Sequence, residues 1–351
     1  MKREFLQLAH TYKNEGIGGY LVSEKLDGMR AFWDAGISRG LWKYEVPYAN
    51  TLKDERYLQK QKATGLWSRY GNVIHAPDWF LDKLPHIPLD GEIYAEGYRQ
   101  DLMSIIKKLE AGSGWEAVQY NVFDVPPMTR VFEAGKINNI NFKKTIASTC
   151  LDWVSLHSER LVWTPGYWTG FTTRLAGLRN RATANDVWKI HEQTELPMQT
   201  EAATAQLERM LADVLARGGE GLIVRSPHAP YECGRVHSML KVKGCSDMEG
   251  TVIGYTAGRE GKLLGLMGAL VIRLDNGIEL ELSGFTDEER VLSSTPFIDA
   301  SSWVIGNPGR RCPDTIWAQH FPRGTRVTFT YRGLSKDGVP QEARYWRKHV
   351  G

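Results

Sequence analysis

SEKLDGMRAFW, residues 23–33, sets a lysine between two apolar runs. Tyr20, Leu21 and Val22 come before it, Ala31, Phe32 and Trp33 after it, and Asp27-Gly28 supplies turn chemistry between them. The stretch therefore reads as two strands joined in a hairpin, with Lys25 near its centre. Asp27 and Arg30 add further charge to the same few residues. Such a segment is either a solvated surface turn or a place where chemistry is done.

Working outward, the 351-residue chain is 42% hydrophobic and 11% aromatic, enough for a substantial core and for two domains. It has no run of eighteen apolar residues, and MKREFLQLAHTYKNEG at the start lacks the apolar centre of a secretory signal. These features predict a soluble, cytoplasmic protein with no membrane partner. Cys150, Cys233, Cys245 and Cys312 lie far apart, without C-x-x-C or Cys/His ligand spacing, and are expected as reduced thiols. A net charge of +3 permits a nucleic-acid partner without arguing for one.

From about residue 18 to 245, short apolar segments alternate with glycine turns and a few helices, an α+β pattern. GYLVSEKL, IPLDGEIYA, AVQYNVFDV, EGLIVRS and SMLKVKG read as strands. EAATAQLERMLADVLARGG reads as a helix, with Leu207, Met210, Leu211, Val214 and Leu215 at helical spacing and Gly218-Gly219 ending it. After Gly244, EGTVIGYTAG, LMGALVIRLDNG, IELELSG and RVTFTYRG predict a small closed β-barrel of the OB type, with Ser293–Pro322 as a long inserted loop. The expected division is 1–245 and 246–351.

Lys-x-Asp-Gly-x-Arg at 25–30 is a weak signal alone. In order behind it come LDGEIY (89–94), YNVFDV (120–125), EGLIVR (220–225) and LKVKG (240–244). This series resembles the covalent nucleotidyltransferases, the superfamily of ATP-dependent DNA ligases, RNA ligases and mRNA capping enzymes. Its order and spacing are most similar to a small, phage-type ATP-dependent DNA ligase. The resemblance implies a nucleotidyltransferase (ATP-grasp-like adenylylation) domain with antiparallel sheets in 1–245, followed by a DNA-binding OB-fold barrel in 246–351. It thins over 126–200 and at the extreme C-terminus.

The residues carry a physical reading beside the resemblance. Only a neutral amine attacks phosphorus, and a free lysine is about 0.1% neutral near pH 7. Lys25 needs help, for which Lys241 and Lys243 are candidate neighbours. On a strand those two share one face, with Leu240 and Val242 on the other. An isolated K-x-K is more often a solvated face; in this series the resemblance assigns the pair to the nucleotide α-phosphate. Asp27 joins Lys25, Lys241 and Lys243 as the catalytic set the resemblance implies.

LDGEIY alternates Asp90, Glu92 and Tyr94 against Leu89, Gly91 and Ile93, which turns Glu92 toward a polar cleft. The resemblance gives Glu92 to the ribose or a metal and Glu220 to a divalent metal. Carboxylates suit Mg²⁺ (or Mn²⁺), which keeps several waters and needs only one or two protein groups. In AVQYNVFDV, Phe123 lies on the more polar face, opposite Val118, Tyr120 and Val122. The resemblance stacks it on adenine, a contact of about 1–3 kcal/mol; half-buried packing is the ordinary alternative.

Arg39, in ISRG (37–40), is similar to a serine-arginine element of DNA ligases and is implied as a phosphate or nick contact, as is Arg30, whose planar fork suits phosphate. Glu24 matches a position near the adenine. At the C-terminus, ARYWRKHVG offers Arg344, Arg347 and Lys348 as phosphate contacts or as a solvated basic tail. The implied function is ATP-dependent sealing of nicks in duplex DNA by a monomer, through a lysyl-AMP intermediate. The alternatives are an RNA ligase, a GTP-using capping enzyme, or a catalytically silent nick-binding OB protein. NAD as donor is disfavoured, since the four-cysteine zinc module usual in NAD-dependent ligases is absent.

Overall fold

The computed structural model describes residues 5–50, 61–97, 99–108, 111–135, 139, 142, 149–157, 161–244, 246–296 and 298–348. Cys245 and residues 1–4 therefore lie outside the described residues. Cys150, Cys233 and Cys312 are free thiols. No helix among the described residues is long and apolar enough to cross a membrane. Contacts divide the chain into two compact units, Met1–Val242 and Lys243–Gly351.

The first unit contains β1 (Gln7–Thr11), β2 (Leu21–Glu24), β3 (Met29–Asp34), β4 (Leu66–Ser68), β5 (Pro88–Tyr94), β6 (Gln119–Asp124), β7 (Trp188–Ile190), β8 (Thr194–Glu195), β9 (Gly221–Arg225) and all of β10 (Gly234–Lys243) but its last residue. They form two five-stranded sheets, ordered β1-β10-β9-β2-β8 and β4-β3-β5-β6-β7. Both are mixed: β1 runs parallel to β10, and β6 parallel to β7. The pairs β2 with β8 and β9, β3 with β4 and β5, and β5 with β6 are antiparallel as expected, so these two parallel pairs are the departure.

The hairpin expected at SEKLDGMRAFW does not form. β2 pairs with β8 and β9, whereas β3 pairs with β4 and β5. Residues 25–28 are thus the crossover where the chain leaves one sheet and enters the other. Gly28 makes the crossing possible: a methyl group there would lie 2.2 Å from the Ile93 carbonyl oxygen on β5.

Apolar alternation builds the two layers. Leu89, Ile93, Val118, Tyr120 and Val122 pack in one cluster, and Val22, Leu222, Val224, Leu240 and Val242 in another, joined there by Ala203, Leu207 and Val214 of the helix Thr200–Ala216. Leu215 of that helix is exposed rather than part of its apolar stripe. Gly218 follows the helix in the left-handed region, φ 79°.

The second unit has β11 (Ser246–Ala257), β12 (Met267–Arg273), β13 (Glu279–Leu282), β14 (Leu292–Ser294), β15 (Ile316–Ala318), β16 (Arg326–Tyr331) and β17 (Arg344–Lys348). Its main sheet is ordered β13-β12-β11-β16-β17. The two ends of this sheet meet at one parallel bridge, Ser283 to Arg344, where the Tyr345 N–H donates to the Ser283 carbonyl at 2.8 Å. The expected closed barrel is an OB-like curled sheet joined at that point rather than along an unbroken ladder. Ser293–Pro322 is not a plain loop: β14 pairs with β15, and between them lies the helix Ala300–Gly306, whose N-cap Asp299 accepts from the Ser301 N–H at 3.1 Å.

Candidate active site

Lys25 follows the last residue of β2. The register there places Glu24 opposite Leu222, and the Lys25 N–H donates to the Gly221 carbonyl at 2.8 Å. That register brings Glu220, one residue before β9, alongside the lysine, and the Lys25 ammonium donates to the Glu220 carboxylate. The Lys25 side chain is half-buried, 26% exposed against 17% for Glu220, so the lysine is partly open to solvent rather than in a core. Asp27 is exposed at the crossover.

Glu92 on β5 lies opposite Arg30 on β3. Burial pushes its carboxyl up to about 7; Arg30 and Lys25 oppose that rise, and the charges of Glu220 and Asp90 add to it. The Glu220 charge thus reaches Glu92, while the Lys25 ammonium, in contact with Glu220, offsets it. No group of three or more His, Cys, Asp or Glu side chains suited to a metal occurs among the described residues. The sparse pair fits Mg²⁺, which retains its waters and asks for one or two carboxylates, better than Zn²⁺.

Arg30 is held in place by the protein. Its Nε and Nη2 donate to the two oxygens of Asp90 at 2.7 and 2.6 Å, and Nη2 also donates to the Gln7 carbonyl at 2.9 Å. Tyr231 adds a hydroxyl donated to Asp90 at 2.7 Å. The Asp90 side chain is wholly buried. Asp124, paired with Asp90 across β5 and β6, accepts from Arg174 at 2.7 and 2.9 Å and from Arg225 at 2.8 Å. Those guanidiniums hold the Asp124 carboxyl below the usual carboxylate range in spite of its burial.

Phe123 sits over this network. The guanidinium carbons of Arg30 and Arg225 lie 4.7 and 4.9 Å from its ring centroid, and the ring is half-buried. Asp90, Asp124, Arg174, Arg225 and Tyr231 were not singled out as site residues in the sequence. The available signal was Asp90, two residues from Glu92 on the same strand face.

The remaining candidates are more dispersed. Lys241 and Lys243 are half-buried while Leu240 and Val242 are in the core, as their alternation required. Lys243, counted with the second unit, lies 3.4 Å from Glu342. Glu24 accepts from Arg217 at 3.3 Å. Arg39 spans Asp78 and Asp82, 2.6 Å from each, at an exposed surface. Arg344, Arg347 and Lys348 belong to β17, paired with Thr330, Thr328 and Val327 of β16, so they are carried on a strand with their side chains exposed.

Comparisons with known proteins agree with the motif reading. Residues 259–348 match the family model described as a DNA ligase OB-like domain. A DNA ligase of Haemophilus influenzae is 28% identical over 344 residues, covering 98% of this chain and 91% of that protein. DNA ligase 4 of Aspergillus fumigatus is 27% identical over 246 residues, 64% of this chain but 20% of that protein. Among solved structures, one from a structure-function study of Lig E DNA ligases and their DNA binding with a minimal scaffold superposes with a TM-score of 0.63 at 27% identity, covering 98% of both chains. Another, Pmar-Lig_Pre, shares the fold with a TM-score of 0.59 at 19% identity, over 99% of this chain and 68% of that one. The chain is similar to DNA ligases along nearly its whole length, and it shares their fold class, a nucleotidyltransferase-type α+β domain with an OB-like domain.

Proposed function

We propose that this chain, which is similar to DNA ligases, seals nicks in duplex DNA with ATP as the adenylyl donor. The observation that carries the reading is the Lys25 amine set against Glu220 at the crossover between two sheets, inside a Lys-x-Asp-Gly-x-Arg motif. Lys25 Nζ attacks the α-phosphorus of ATP, the N–P bond forms as the bond to pyrophosphate breaks, and AMP remains on the lysine. The 5′-phosphate at the nick then takes AMP from Lys25. The 3′-hydroxyl displaces AMP to leave a phosphodiester.

The ammonium must shed a proton before it attacks, and Glu220 touches it, within reach to receive that proton. Glu92 and Glu220 are the residues that would hold Mg²⁺ (or Mn²⁺), which supplies positive charge against the phosphates and favours the neutral amine. Lys241 and Lys243 would face the α-phosphate, Phe123 the adenine with Glu24 nearby, and Arg30 and Arg39 the nick, with Asp27 completing the catalytic set. Arg344, Arg347 and Lys348 would meet phosphates from the second unit, residues 246–351 serving as the DNA-binding domain beside an adenylylation domain at 1–245. A monomer acting in the cytoplasm belongs to the same proposal.

The test is incubation with α-labelled ATP, GTP or NAD in Mg²⁺, followed by nicked duplex DNA. A labelled adduct with ATP alone, lost in Lys25→Ala and passed to the nick by the wild type, is the expected result. Label from GTP would turn the reading to a capping-type enzyme, transfer to an RNA end alone would turn it to an RNA ligase, and no adduct with any donor would overturn it.

A further inference from the structure

The peptide group between Glu24 and Lys25 is gripped from both sides. Its N–H, on Lys25, donates to the Gly221 carbonyl at 2.8 Å. Its carbonyl, on Glu24, accepts from His191 Nε2 at 2.7 Å. A carbonyl has no proton to give, so the imidazole presents Nε2–H. Burial lowers the His191 pKa, which keeps the ring neutral at physiological pH.

The other end of His191 is anchored in the second sheet. It follows β7 directly, and its own N–H donates to the Val122 carbonyl at 2.7 Å, on β6 immediately before Phe123. One residue thus joins the strand that carries Phe123 to the peptide that carries Lys25, although β6 and β2 belong to different sheets. Lys25 sits on a crossover with no ladder partner of its own beyond Gly221, so the torsions that aim its side chain depend on this second grip.

We propose that His191 is a positioning residue for the lysine nucleophile, fixing the Lys25 peptide relative to the Phe123 strand. The inference rests on the reading of Lys25 as the adenylylated residue. Attack on phosphorus requires a near-attack separation of about 3–3.5 Å, and a displacement of about 1 Å costs up to about 10²-fold in rate. His191 touches neither reacting atom. Its effect falls on the step in which Lys25 attacks and spares the last step, in which the nick's own hydroxyl does.

The experiment compares His191→Leu and His191→Gln in two single-turnover assays: lysine adenylylation with ATP, and sealing of a pre-adenylylated nick. Gln places an amide N–H where Nε2 stood; Leu fills the space without a donor. His191→Leu is expected to slow adenylylation about 10- to 100-fold with sealing of the pre-adenylylated nick little changed, and His191→Gln to recover most of the loss. Equal losses in both assays, or no recovery with Gln, would reduce His191 to a structural role and overturn the inference. Wild-type adenylylation in His191→Leu would overturn it as well. Lys25→Ala runs alongside: if that variant still forms the adduct, the nucleophile assignment itself has failed, a result distinguishable from failure at His191.

Discussion

Gly28→Ala tests whether the crossover geometry, and not only the lysine, governs the first chemical step. A methyl group at residue 28 would lie 2.2 Å from the Ile93 carbonyl oxygen and 2.8 Å from Glu92 Cγ. Ordinary carbon-to-oxygen contacts begin near 3.3 Å, so relief requires a shift of about 1 Å. Both obstacles belong to β5, and Met29 and Arg30 pair directly with Ile93 and Glu92. The backbone entering β3 therefore has to move, three residues from Lys25. Overpacking of this kind costs about 1–3 kcal/mol, and the misplacement costs up to about 10²-fold in an oriented reaction. At about 2–4 °C per kcal/mol for a unit of this size, the melting temperature should drop by several degrees while the protein stays folded at 25 °C. Single-turnover adduct formation with labelled ATP should fall by one to two orders of magnitude. Gly306→Ala is the control, because nothing lies within 4 Å of the added methyl. Adduct formation in Gly28→Ala within about twofold of wild type would refute the claim that a 1 Å shift here matters.

Glu92 is raised, so in the free protein it contributes most to stability below its ordinary 4.5, and that contribution is lost as pH rises toward about 7. A cation that needs the carboxylate must expel the proton, so the Mg²⁺ concentration for half-maximal adenylylation should fall between about pH 6 and 8, and Glu92→Gln should flatten the profile. Glu220→Ala should lower adduct formation far more than Glu96→Ala, whose side chain is exposed beyond β5, and extra Mg²⁺ should restore part of the loss; equal losses would count against a role in the site. Arg30→Ala, leaving Asp90 buried and unpaired, should destabilise by about 3–5 kcal/mol, whereas Arg39→Ala should cost about 0–1 kcal/mol and show its defect only with DNA; urea melts and gel-shift titrations separate the two.

What the sequence reveals here is local, and what it hides is pairing. K-x-K on β10 is legible because a strand's period is two: Leu240 and Val242 go inward, and their neighbours are half-buried. LDGEIY is legible by the same rule, with Leu89 and Ile93 in the core. The same alternation says nothing of which strand lies beside which. SEKLDGMRAFW carries two strands and turn residues, yet its strands part into different sheets, and Lys25 meets Glu220 across 195 positions of chain. Asp90 looks solvent-facing by its alternation and is wholly buried because Arg30 and Tyr231 close over it. β17 escapes notice because Tyr345 packs against Phe285 and Phe321 while Arg344, Trp346, Arg347 and Lys348 remain outside, so the strand reads as charge. β7 and β8, of three and two residues, are too short for any period to register.

The two arginines proposed for the nick differ in what they can release. Arg39 shares an exposed surface with Asp78 and Asp82, whose side chains are 85% and 63% exposed. Pairs of that kind contribute little, so a phosphate, presenting the same planar pair of oxygens to the same fork, can displace either acid at small cost. Arg30 has no such freedom, because Asp90 would be left as a buried, unpaired charge if the fork swung away. It holds Asp90 through Nε and Nη2, however, and Nη1 takes no part in those bonds. A phosphate that reached the Nη1 edge would add to the network instead of dissolving it. Arg30 therefore suits a contact whose position must not vary, fixed to β5 beside Glu92, and Arg39 suits one that forms and breaks as DNA comes and goes.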